Sequence, residues 1–267
     1  MKRFTIVLAG AVVLVLLIGQ VTAHAKIIAK TVEYNAAGSV MKGYLAYDSS
    51  MKSKGPGILV VDEWWGLTDN GRRRARMLAE LGYTALVADM YGEGKQAGNP
   101  TEAAAMSSEV MNNFGVARAR FSAAEDLLKK QPTVDDARIA AIGFCFGGGV
   151  ILNVARQGTD LKGVVSFHGS LGAVEPAGPA GIKTKILVLQ GGADKFVTPD
   201  KVEEFKKEMN AAGADYRVIV YPGATHAFTN PRATALGKKF NLPIAYNEKA
   251  DKESWQAMKT FFGEILK

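Results

Sequence analysis

The chain contains one cysteine, set in Gly143-Phe144-Cys145-Phe146-Gly147. An apolar run, residues 139–142, leads into it, and Gly147-Gly148-Gly149 leads out into a helical pattern. A strand-to-helix turn this tight strains its central residue and lifts that side chain clear of the backbone. Small residues on either side allow the helix and strand to approach closely. The helix N-terminus that follows favours negative charge, whether a thiolate or a developing oxyanion. A free cysteine is also often an inert buried thiol, but the strand, elbow and helix around Cys145 point to a nucleophile.

A nucleophile needs a base, and the base needs a group to orient it. In hydrolases built on this kind of elbow the chain order is nucleophile, acid, histidine. Asp194 stands four residues past the apolar run 186–190, and His226 stands five past Tyr221. Asp is common in turns and His in hydrogen-bonded loops. Both residues here follow predicted strands on the same side as Cys145. His168 also follows a predicted strand, 164–167, and reads as pocket lining or structural.

The elements that must hold these groups are legible in outline. Residues 27–34 and 40–47 read as an antiparallel pair with turn residues between them. The continuous apolar run 57–61 reads as a buried parallel strand. Further strands are predicted at 84–88, 139–142, 164–167, 186–190 and 216–221. Helical patterns intervene at 72–81, from the Asn99-Pro100 start to Lys130 with a break near Gly115, and at 199–209. A last helix carries Trp255, Met258, Phe261, Phe262, Ile265 and Leu266 on one stripe. Alternation of this kind predicts an α/β fold, with a mostly parallel central sheet covered by helices on both faces and an antiparallel N-terminal strand pair. Right-handed crossovers put the loops after the strands on one edge, where ligands bind. Residues 228–249 have weak periodicity and read as a loop over the site.

Composition limits the alternatives. With 48% hydrophobic and 22% charged residues the chain can build a core. One cysteine excludes an internal disulfide framework, and with three histidines leaves little capacity for a metal site. No metal or cofactor is expected. Lys2 and Arg3, an apolar run from Phe4 to Ile18, and Ala23-His24-Ala25 form a secretory leader pattern, with cleavage predicted after Ala25. The apolar run is short for a membrane span, although an uncleaved anchor is the rival reading. The expectation is an exported protein, periplasmic or secreted, with residues 1–25 as leader and 26–267 as one domain. Loss of Lys2 and Arg3 lowers the formal charge from +7 to +5. The basic run Arg72, Arg73, Arg74 and Arg76 reads as a solvated helix face. No nucleic-acid motif accompanies it, so neither a nucleic-acid partner nor membrane insertion after cleavage is expected. A monomer is expected.

These motifs resemble the dienelactone hydrolase family of the α/β-hydrolase superfamily. The similarity rests on the Gly-x-Cys-x-Gly-Gly elbow at 143–148 and on Glu63 in Val60-Val61-Asp62-Glu63-Trp64-Trp65-Gly66-Leu67. It also rests on Asp89-Met90-Tyr91 and on His226-Ala227-Phe228, and it spans roughly residues 30–265. The resemblance implies a Cys–His–Asp hydrolase of lactones or activated esters. In it Cys145 attacks the acyl carbon, His226 moves protons and Asp194 fixes the histidine tautomer. The N–H groups of Phe146 and Trp64 would hold the oxyanion. Glu63 resembles the family carboxylate that contacts the resting thiol and assists its activation. The family's two carboxylate-binding arginines are absent: Glu93 and Asn230 stand in their places, with Lys95 and Arg232 nearby. A buried carboxylate needs a cation or several donors, so these departures argue against dienelactone itself. Trp64, Trp65 and Phe146 suggest an apolar pocket, and Trp65, Tyr91, His168 and Arg232 are the candidate substrate contacts. The expected partner is a small ester or lactone. The alternatives are a non-catalytic binding protein on a hydrolase scaffold, or a thioesterase or acyltransferase sharing the acyl-enzyme step.

Overall fold

In the computed structural model, which describes residues 26–177 and 181–267, the chain opens with an antiparallel hairpin, β1 (Ile27–Ala36) and β2 (Ser39–Asp48). The predicted leader, residues 1–25, lies outside the described residues. β3 (Gly55–Val61), helix α1 (Asp69–Glu80) and β4 (Thr84–Val87) follow. The predicted helix between 99 and 130 is two helices, α2 (Pro100–Asn112) and α3 (Phe114–Lys129), which meet at Asn113. Asn99 caps α2 by accepting from Glu102 N at 3.0 Å, and Pro100 occupies the first turn.

The second half runs β5 (Val134–Phe144), α4 (Phe146–Arg156), β6 (Gly163–Phe167), β7 (Lys185–Gly191), α5 (Pro199–Ala211) and β8 (Tyr216–Tyr221). Two helices end it, α6 (Ala233–Phe240) and α7 (Glu248–Ile265). The stretch expected to be a loop over the site therefore contains α6. That helix is eight residues long and buries only Ala233 and Gly237, so it leaves no apolar stripe to read.

The eight strands form one sheet in the order β1-β2-β4-β3-β5-β6-β7-β8. β2 is antiparallel to both of its neighbours, and the pairings from β4 to β8 are parallel. Strand residues alternate between two cores. Leu59, Val61, Ile139, Ala141, Ile186 and Val188 pack with α3, α4 and α5 on one face. Ile58, Val60, Ala140, Ile142, Leu187 and Leu189 pack with α1 and α7 on the other. Burial on both faces explains why these strands are continuous apolar runs rather than alternating ones. The last helix presents the predicted stripe, with Trp255, Met258, Phe261 and Phe262 all buried.

Parallel pairing puts the carboxyl ends of β3 to β8 on one edge. Glu63, Tyr91, Cys145, His168, Asp194 and His226 all follow those ends within a few residues. The basic run on α1 divides. Arg72 pairs with Asp69, whereas Arg74 is 1% exposed, so the solvated-face reading fails at Arg74.

α4 can start where it does only because β5, β3 and the helix touch through glycine. A Cβ on Gly147 would overlap the Val61 carbonyl, and one on Gly143 would overlap the Gly147 carbonyl. Gly147→Ala is therefore expected to destabilise the fold by about 3 kcal/mol through backbone displacement. Gly263→Ala, in the open last turn of α7, is expected to stabilise it by a few tenths of a kcal/mol. Urea denaturation of the two variants checks both signs.

Candidate active site

The elbow residue is held in an unusual backbone state. Cys145 has φ 54° and ψ −115°, in a region that non-glycine residues rarely occupy. Its N–H donates to the Phe167 carbonyl at 3.0 Å, and its own carbonyl accepts from Gly149 N at 3.2 Å. One bond ties the elbow to β6 and the other to the first turn of α4. His168 (φ 40°) and Ala227 (φ 57°) are strained in the same sense. Backbone strain concentrated in this way is typical of sites where geometry is imposed by the surrounding fold.

His226 and Asp194 meet at the same edge. Nδ1 of His226 lies 2.8 Å from Oδ2 of Asp194. Three further donors fix that carboxylate: Gln190 Nε2 to Oδ2 at 2.9 Å, and the N–H groups of Phe196 and Val197 to Oδ1 at 2.8 and 3.1 Å. Asp194 accepts through all of these, so Nδ1 of the ring carries a proton and Nε2 is left for the cysteine. Burial disfavours a charged ring. The electrostatic attraction of Cys145, followed by hydrogen bonds to Asp194 and Cys145, outweighs it and pushes His226 up to about 10. A cysteine beside a histidine that a carboxylate orients is an arrangement compatible with nucleophilic acyl chemistry.

Behind His226 a second layer fixes the loop. His168 is fully buried, its Nε2 is 2.8 Å from Thr229 Oγ1, and its ring packs edge-on against that of His226 at 5.2 Å. Burial, reinforced by the nearby charges of His226 and Arg74, holds His168 well below the ordinary histidine range, so it is neutral. Arg74 donates to the Thr229 carbonyl at 2.7 Å and pairs with Asp251 on α7, while its guanidinium lies 4.9 Å from the Trp255 ring centroid. Neither Arg74 nor Thr229 stands out in the sequence as part of a site. Gln190 offers one sequence signal, as a polar residue at the carboxyl end of an otherwise apolar strand.

The loop after β3 forms the opposite wall. Asp62 organises it by accepting from Glu63 N, Thr68 N, Thr68 Oγ1 and Gly71 N. Tyr91 donates its hydroxyl to the Trp64 carbonyl at 2.9 Å, and Asp89 accepts from Tyr91 N, Gly92 N and Gly94 N. The Trp64 N–H has no protein acceptor among the described residues, and Phe146 N–H belongs to a first helical turn, where no intrahelical acceptor exists. Glu63 is 3% exposed. Its Oε2 accepts from Asn230 Nδ2 at 2.8 Å, and its Oε1 is buried with no partner. Burial and then the charge of Asp62 raise this carboxyl, against the Asn230 hydrogen bond, to about 7.

A cavity of about 330 Å³ opens over the elbow, lined by Cys145, His226, Glu63, Trp64, Trp65 and Phe146 among others. Of the candidate substrate contacts, Trp65 lines it. Tyr91 is buried and engaged with the Trp64 carbonyl, His168 is screened by His226, and Arg232 opens onto a separate cleft of about 230 Å³ beyond Trp65. These three lie outside the cavity lining.

The chain belongs to the dienelactone hydrolase family, whose model matches residues 41–266. It is 31% identical to Protein usf of Aquifex pyrophilus over 240 residues, covering 88% of this chain and 98% of that protein. It is similar to a dienelactone hydrolase-like promiscuous phosphotriesterase from metagenomic libraries, with 35% identity and a TM-score of 0.84 over 90% of this chain and 99% of that one. An α/β-hydrolase enzyme from a Medee basin deep-sea metagenome shares the fold at 14% identity, with a TM-score of 0.65 over 89% of this chain and 98% of that one. The fold is that of the α/β-hydrolases, and the chain is a hydrolase of the dienelactone hydrolase type.

The raised Glu63 carboxyl has a measurable consequence. Between pH 4.5 and about 7 the unfolded chain has lost a proton that the folded chain keeps, so this group lowers stability as pH rises through that window. The full cost, reached above pH 7, is ~3 kcal/mol. Glu63→Gln retains an acceptor for Asn230 and removes the titration. It is expected to be nearly neutral at pH 4 and stabilising by up to ~3 kcal/mol at pH 8, read from urea denaturation of both proteins at each pH.

Proposed function

We propose that this chain is an exported, cysteine-dependent hydrolase of small esters or lactones. The observation that carries the reading is the strained Cys145 at the N-terminus of α4, facing a His226 whose Nδ1 lies 2.8 Å from Asp194. In the first half-reaction the Cys145 thiolate attacks the acyl carbon. The carbonyl electrons move onto oxygen, and the N–H groups of Trp64 and Phe146 receive that oxyanion. Collapse breaks the bond to the alkoxy oxygen, which takes the proton from Nε2 of His226 and leaves as the alcohol. A thioester to Cys145 remains. In the second half-reaction His226 takes a proton from water as the water attacks the thioester carbonyl. Collapse then releases the carboxylic acid and restores the thiolate.

Asp194 holds the tautomer with Nδ1 protonated, and Gln190 with the two N–H groups of residues 196 and 197 holds Asp194 in turn. Glu63, with its proton site Oε1 unpartnered in the cavity wall, serves as the local acid–base group beside the resting thiol. A similar protein is named as a promiscuous phosphotriesterase. The same thiolate and oxyanion donors could act at the phosphorus of a triester, which makes phosphotriesters the second substrate class to assay. The leader pattern at 1–25 supports export with cleavage after Ala25.

Cys145→Ala and His226→Ala are each expected to lower kcat/KM for p-nitrophenyl butanoate by about 1,000-fold or more while the urea midpoint stays near that of the parent. Retained activity in Cys145→Ala overturns the mechanism. Expression of the full chain in a secreting bacterial host, followed by N-terminal sequencing of the exported protein, is expected to read from Lys26. Retention of residues 1–25 overturns the cleavage.

A further inference from the structure

Glu93 and Asn230 stand where the family resemblance would place carboxylate-binding arginines, and the cavity supplies no other lysine or arginine among the described residues. Its lining combines Trp64, Trp65, Met111, Phe146, Leu242 and Ile244 with a few hydroxyl and amide groups, and contains no lysine or arginine among the described residues. Phe196, 43% exposed, adds an apolar lip packed edge-on against His226 at 5.0 Å. The ionisable groups in that lining are Cys145, His226 and Glu63.

Each cation that could compensate is elsewhere. Glu93, at one of the two departures, turns outward to Lys42 at 3.5 Å. Lys95 contributes only backbone bonds, and Arg232 faces the separate cleft with Lys239. Asn230, at the other departure, spends its amide on Glu63. The buried guanidinium of Arg74 is committed to Asp251 and the Thr229 carbonyl behind the histidine loop. The one cationic group in the lining is His226, and it is already engaged with Asp194 and Cys145, so a charged substrate end would lose its water without gaining a free cation, close to the Glu63 acid.

We infer that the cavity selects uncharged esters or lactones with an apolar acyl group and rejects those whose acyl group ends in a carboxylate. The inference rests on the hydrolase reading above and deepens it to a substrate class. Three esters of similar length separate charge from size: p-nitrophenyl butanoate, p-nitrophenyl hemisuccinate, which carries one carboxylate, and its uncharged methyl ester. The two uncharged substrates are expected to agree in kcat/KM within about tenfold, with the hemisuccinate at least about 100-fold lower. Met111→Lys, which places a cation on the cavity wall, is expected to raise the ratio of hemisuccinate to methyl ester turnover by about tenfold.

Turnover of the hemisuccinate within tenfold of its methyl ester overturns the selectivity while leaving the hydrolase reading intact. So does poor turnover of both succinates beside good turnover of butanoate, since that is discrimination by size. Failure of all three, with a folded protein, overturns the hydrolase reading and the selectivity with it.

Discussion

A residue with a side chain does not rest at φ 54°, ψ −115° unless its surroundings leave it no alternative. At Cys145 the alternatives are removed from both sides. β5 delivers the chain at a level fixed by pairing with β3 and β6, and the Cys145 N–H is taken by the Phe167 carbonyl. α4 then has to begin at once, against β3, with Gly147 under the Val61 carbonyl. The sheet and this helix are close-packed to the point where glycine is the only residue that fits. The thiol is aimed by that contact, since no bond to the sulfur itself is needed to lift it from the turn. The same parallel sheet brings β7 and β8 to the same edge, and that is how residues 194 and 226 come to face residue 145.

The histidine is aimed differently. Its loop follows an edge strand and has no tight helix behind it, so side chains do the work that backbone does at the elbow. Thr229 is held by Arg74 and Arg73, which donate to its carbonyl, and by the bond between its hydroxyl and His168. Arg74 in turn is clamped between Asp251 and the Trp255 ring. The chain of contacts runs from α7 through α1 to the loop, so the C-terminal helix that seals one face of the sheet also steadies the base. A buried guanidinium is costly without such partners, and Asp251 and the Thr229 carbonyl supply two of them.

This division explains what was legible in the sequence. The elbow, Asp194 and His226 could be found because each stands at a fixed short distance after an apolar run, and strand ends are visible as such. Arg74 could not. In sequence it is one arginine in a basic run, and only the packing of α7, whose Asp251 is 177 residues away, decides that it is buried. Asn230 was marked as a departure from the family, yet its bond to Glu63, 167 residues away, is a fact of topology. The helix at 233–240 buries small residues only, so the sequence shows no stripe there. His168 and His226 both follow strands on this edge, and the order nucleophile, acid, histidine is what separates them: His226, after Asp194, lines the cavity.

Asn230 and Glu63 belong to one adjustment of charge. An arginine at position 230 would place a fixed cation against the Glu63 carboxylate and would hold it ionised. An amide offers a hydrogen bond with no charge, and burial beside Asp62 then leaves the carboxyl near its midpoint at neutral pH. The cost of replacing the cation is a destabilised acid in the cavity wall. On the proposed reading there are two returns. The acid can exchange a proton with its neighbours at working pH, as a permanently paired carboxylate cannot. The cavity also lacks, at this position, one of the two cations that the family pattern would use to hold an anionic acyl group. Weaker charge recognition and a proton-exchanging acid then meet in one residue, Asn230, and neither disturbs the backbone of the adjacent elbow.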